Sequence, residues 1–119
     1  MGSDTAFIAS ADAVLTAIGA ALDAALADGD ADADWSLNDG ILTIDCDERG
    51  KLIVNRHVAN REIWVAARAG GFHYRGDAGA WRDTRSGELL APALTRLLRE
   101  QADLEVDLSA LPAPDSDVR

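Results

Sequence analysis

The chain has 119 residues, enough for one domain that buries roughly 65% of its unfolded surface and folds without a metal or disulfide staple. Its formal net charge is -10, from 21 acids against 11 bases, which works against a phosphate backbone and excludes nucleic acid as the expected partner. The lone cysteine, Cys46, excludes an internal disulfide framework and points to a reducing compartment.

The charge is unevenly placed. Residues 1–50 carry eleven acids and one base, residues 51–100 nine bases and five acids, and the last nineteen five acids and Arg119. Metal cations and basic protein surfaces are therefore the expected ligands. The chain does not open on a basic region followed by an apolar core, and no apolar run approaches the roughly 18 residues of a membrane span. A cytoplasmic protein with no membrane partner is expected.

Across residues 4–27, Phe7, Ala11, Val14, Leu15, Ile18, Leu22 and Leu26 recur at steps of three and four, which is one face of a long amphipathic helix. Asp28 and Gly29 end it. The segment LADGDADADW (residues 26–35) then sets an aspartate at every second position: Asp28, Asp30, Asp32 and Asp34. In an extended chain residues two apart lie roughly 6.5 Å from each other, so each neighbouring pair repels by about 0.6 kcal/mol in water. Such a run is either a solvated linker or a surface to which something positive comes. It matches a calcium loop only at the first three ligand positions, since Ala33 stands at the sixth, Asp39 at the twelfth, and a strand pattern follows.

From Trp35 the apolar period becomes two. Trp35 and Leu37 lead to a hairpin turn at Asn38, Asp39 and Gly40, and residues 41–47 return with Leu42, Ile44 and Cys46 on one face. Residues 48–50 turn, residues 51–55 (KLIVN) and 63–68 (IWVAAR) read as strands, and Gly70 and Gly71 as a tight turn into Phe72, His73 and Tyr74. Residues 80–83 around Trp81 form a last short strand. Ser86 and Gly87 precede a second helix with apolar face Leu90, Leu94, Leu97 and Leu98; Pro92 fits only its first turn, which sets the start near Leu90 or Ala91. The expected fold is α+β, a two-layer sandwich with the N- and C-terminal helices packed on one face of an antiparallel sheet and the other face open. One domain is expected over residues 1–111, with a flexible tail at 112–119.

No enzymatic constellation is visible. His57 and His73 lack metal-ligand spacing and a nucleophile partner, and no GK[ST] follows the glycine pair. Trp64 alternates with Ile63, Val65 and Ala67, so it faces the open side, where alternation also sets Asn55 and His73. Covering an exposed tryptophan contributes about 4 to 6 kcal/mol at most by area. The plainer alternative is an indole covered by a loop or by the tail.

In their order and spacing, IVNR (53–56), EIWVAA (62–67), AGGFHY (69–74) and AWRDTRSGE (80–88), with the acidic segment before the first strand, resemble the frataxin family in its bacterial CyaY branch. The resemblance runs from about residue 4 to residue 108. It implies a small non-enzymatic protein, expected as a monomer, that binds ferrous or ferric iron weakly on an acidic ridge and regulates iron-sulfur cluster assembly. Its implied partners are the cysteine desulfurase and the scaffold complex. By position the ridge is Asp23, Asp28, Asp30, Asp32 and Asp34, while Asn55 and Trp64 match sheet-face residues that contact the assembly machinery and His73 sits near another. Gly19 and Ala20 stand where relatives usually carry glutamates, Ala59 where proline is common and Glu62 where glutamine is common. The alternative reading is an acidic protein-binding module for a basic partner, with incidental metal binding.

Overall fold

The computed structural model describes residues 3–28 and 33–115. Helix α1 spans Ser3–Asp28, and the strands are β1 Asp34–Asn38, β2 Ile41–Asp45, β3 Lys51–His57, β4 Glu62–Ala67, β5 Gly70–Asp77 and β6 Ala80–Asp83, followed by α2 Leu90–Ala102. The strands pair antiparallel in chain order, β1-β2-β3-β4-β5-β6, so each connection is short and both helices cover the same face. This is the expected two-layer α+β sandwich.

The apolar stripes meet in one core. Phe7, Val14, Leu15, Ile18 and Leu22 of α1 and Leu94 and Leu98 of α2 are fully buried with Leu42, Leu52, Val54 and Ile63 of the sheet. By length and composition alone, residues Asp4–Asp28 do meet the requirement for a membrane span, contrary to the sequence reading, because alanine fills the gaps between larger apolar side chains. Those larger side chains are engaged by the sheet.

Backbone conformation explains the turns. Asp39 (φ 50) and Gly40 (φ 78) form the hairpin turn, both in the left-handed region that a two-residue turn requires, while Asn38, expected in the turn, pairs with Ile41 and ends β1. The turn between β4 and β5 is Arg68–Ala69 rather than the glycine pair. Pairing continues through Ala66 with Gly71 and Ala67 with Gly70, so both glycines belong to the strand. Strand β2 stops at Asp45, short of the expected residue 47, because Asp47 (φ 55) turns away into a short 3-10 segment while its N–H bonds Asp45 Oδ1 at 3.0 Å. Cys46 is buried, and burial, reinforced by the charge of Asp45, pushes its thiol pKa up.

Beyond α2, Leu104, Val106 and Leu108 are buried in alternation with exposed Asp103, Glu105 and Asp107. Of the tail expected to be flexible, residues 112–115 are described, and the Asp115 N–H donates to Ser10 Oγ at 2.9 Å.

Candidate functional site

The exit of α1 gathers negative charge. The free carbonyls of a helix C-terminus carry roughly half a negative charge; Asp28 stands among them, and the last turn holds no base. Asp23 lies little more than one turn back, and Asp34 opens β1. All three are exposed, and among the described residues no basic side chain pairs with them. Four arginines are engaged with other acids: Arg56 with Asp12 (2.6 Å) and Asp39 (3.4 Å), Arg61 with Asp4 (3.0 Å), Arg96 with Glu88 (2.6 Å) and Arg99 with Glu105 (2.7 Å). Asp30 and Asp32, the middle of the expected ridge, lie outside the described residues.

Asp23 differs from the other two. Its Oδ1 accepts a hydrogen bond from Trp35 Nε1 at 2.9 Å, and the Trp35 ring lies against Gly19, where an added Cβ would come within 2.6 Å of it. Carboxylate oxygens are suitable hard donors for iron. Yet among the described residues no three His, Cys, Asp or Glu side chains converge as a closed metal site requires. A cation held here keeps much of its water.

The open face carries the second feature. Asn55 stands opposite Trp64, and Trp64 opposite His73, so the register brings the three expected residues into one row. Trp64 faces the open side but is half-buried, because its indole is sandwiched between two imidazoles. His57 stacks on one side at 3.7 Å between ring centroids and 7° between planes, and His73 on the other at 4.3 Å and 8°. Beneath the stack, Glu62 is 4% exposed. Its Oε1 accepts from Trp64 Nε1 at 2.8 Å and lies 3.7 Å from His73 Nδ1, while its Oε2 accepts from Arg75 at 2.7 Å. Asn55 Oδ1 and His57 Nδ1 are buried without a hydrogen bond from the described residues.

Sequence reasoning missed His57, Glu62 and Arg75. The signal existed: period-two alternation puts residues 57, 62 and 75 on the same face as 64 and 73, and the register pairs Glu62 with both His57 and Arg75. The result is a row of three stacked rings whose acid is paired with Arg75. Nothing in it is poised as a nucleophile.

Comparison with known proteins gives a consistent picture. The family model for the frataxin-like domain matches residues 1–104. The iron-sulfur cluster assembly protein CyaY of Burkholderia mallei (strain SAVP1) is 47% identical over 108 residues, which cover 91% of this chain and 99% of that one. The protein of the same name from Ralstonia pickettii (strain 12J) is 44% identical over 109 residues, covering 91% and 96%. Among solved structures, frataxin from Psychromonas ingrahamii superposes with a TM-score of 0.78 at 30% identity, covering 89% of this chain and 97% of that one. A trimeric frataxin from Saccharomyces cerevisiae, complexed with ferrous iron, gives 0.69 at 25% identity, covering 79% and 86%.

Proposed function

The chain belongs to the frataxin family, in its CyaY branch, and from that premise we propose that it is an iron-binding regulator of iron-sulfur cluster assembly that docks on the cysteine desulfurase and its scaffold. It works as a monomer in the cytoplasm, by binding rather than by catalysis, and needs neither nucleic acid nor a membrane. The carrying observation is the pairing of two surfaces: carboxylates without a basic partner at the exit of α1, and a pre-stacked indole on the open sheet face. Trp35 turns toward α1, so alternation sets Asp34 on the same side of the sheet as Trp64. A partner that meets one surface is within reach of the other.

In this reading the iron is cargo, held loosely by the loop carboxylates Asp28, Asp30, Asp32 and Asp34, with Asp23 at the margin. A basic surface of the desulfurase meets the same charges, while Asn55, Trp64 and His73 supply shape and apolar area. Iron and partner therefore compete for, or cooperate through, one set of carboxylates, and salt weakens both, since exposed charges are screened over about 8 to 10 Å.

A second reading, an acidic protein-binding module with incidental metal binding, is favoured by one observation: no three ligating side chains converge among the described residues. Capture of the cognate desulfurase at low and high salt, with and without ferrous iron, separates the two. The regulator predicts salt-sensitive capture that changes when iron is added. Capture that ignores iron favours the module, and no capture at any salt refutes both.

A further inference from the structure

The helical end of the ridge poses a chemical problem. Asp23 is the one ridge carboxylate on the body of α1, and the positions one turn away, 19, 20, 26 and 27, are Gly, Ala, Leu and Ala. No carboxylate lies one turn away along the helix with which Asp23 could chelate an ion. Its Oδ1 is already occupied by the Trp35 indole N–H at 2.9 Å. The ring can reach it only because residue 19 lacks a side chain: a Cβ there would stand 2.6 Å from Trp35 Cη2 and 2.9 Å from Cζ3. The glycine that removes an acid from the ridge thus also seats the ring that occupies its neighbour.

We infer that Trp35, seated on Gly19, is a specificity-determining residue that withholds Asp23 from cations. The inference rests on the ridge reading above and concerns which of its carboxylates take part. A hydrogen bond to a charged acceptor must be broken, or the ion must accept Oδ2 alone beside an apolar ring, before Asp23 contributes. The remaining carboxylates face no such competitor among the described residues.

The test is an anaerobic titration with ferrous iron, read by calorimetry and by paramagnetic broadening of backbone and indole N–H resonances. Trp35→Phe keeps a ring near Gly19 but deletes the donor, and Gly19→Ala drives the indole off the helix. Unchanged Trp64 and Trp81 indole resonances report that the fold is intact. Trp35→Phe is expected to bind ferrous iron about tenfold tighter, or about 1.4 kcal/mol, with broadening extended to Asp23, and Gly19→Ala to move the same way. Adding Asp23→Asn to Trp35→Phe should restore the parent behaviour.

If both variants titrate like the parent, the inference is overturned, whatever the parent itself binds. If instead the parent shows no broadening around Asp28 and Asp34 but Trp35→Phe gains a site, the ridge reading falls and the inference stands. No binding by any variant overturns both.

Discussion

Tyr74 is the only tyrosine in the chain and is 1% exposed. Burial pushes its phenol pKa up to about 12, and the charges of Asp83 and Glu88 push in the same direction. An unfolded tyrosine titrates near 10, so above that pH the unfolded chain gives up its proton while the folded one retains it. The unfolded state then binds fewer protons, and stability falls as pH rises from about 10 to about 12. Phenolate absorbance should therefore titrate near 12 in the native protein and near 10 in denaturant. Tyr74→Phe should flatten that part of the alkaline stability profile. A native titration near 10 would mean that the phenol is not enclosed by the core.

At the scale of elements, Gln101 fastens α2 to two connections of the sheet. It is 5% exposed; its Oε1 accepts the Arg68 N–H at 2.9 Å, and its Nε2 donates to the carbonyls of Arg49 and Lys51, both at 3.1 Å. One side chain thus satisfies backbone groups at the β2–β3 and β4–β5 turns. Gln101→Ala leaves three backbone groups without that partner, and a loss of about 2 to 3 kcal/mol is expected from the unfolding midpoint in urea. Gln101→Glu keeps the acceptor role but sets a buried carboxylate oxygen against the two carbonyls, and should cost at least as much as Ala. The end of α2 is fixed independently by Asp103 in the left-handed conformation, whose N–H turns back to the Leu98 carbonyl, so the helix should survive either change.

Over the whole molecule, charge is graded across the open face. Asp34 and Asp45 pair across β1 and β2 at one end, while Arg75 and Arg82 pair across β5 and β6 at the other. Trp64 and its imidazoles lie between. Such a gradient orients an approaching partner as well as attracting it, and its effect falls with salt. The acidic end also opposes folding. Replacing Asp28, Asp30, Asp32 and Asp34 by Asn should raise stability by about 1 kcal/mol, seen as a higher thermal midpoint, while weakening capture of a basic partner in metal-free buffer. A lower midpoint would mean that those carboxylates hold structural contacts of their own.

What the sequence determined by itself is what repeats locally. Steps of three and four wrote α1 and α2, period two wrote the strands, and the pair Asp39–Gly40 fixed a turn that requires positive φ at both positions. Alternation alone told which side Trp64 faces. It did not tell what would stand beside it, because the imidazole sandwich and the Glu62 carboxylate depend on register between β3, β4 and β5. The same register moved the β4–β5 turn off the glycines, and contacts across 12 residues between Trp35 and Asp23, or 50 and 52 for Gln101, leave no periodic trace. Hydrophobic patterning is a property of neighbours along the chain, whereas the engagement of Asp23 and the stacking of Trp64 are properties of neighbours in space. Tertiary packing alone decided these.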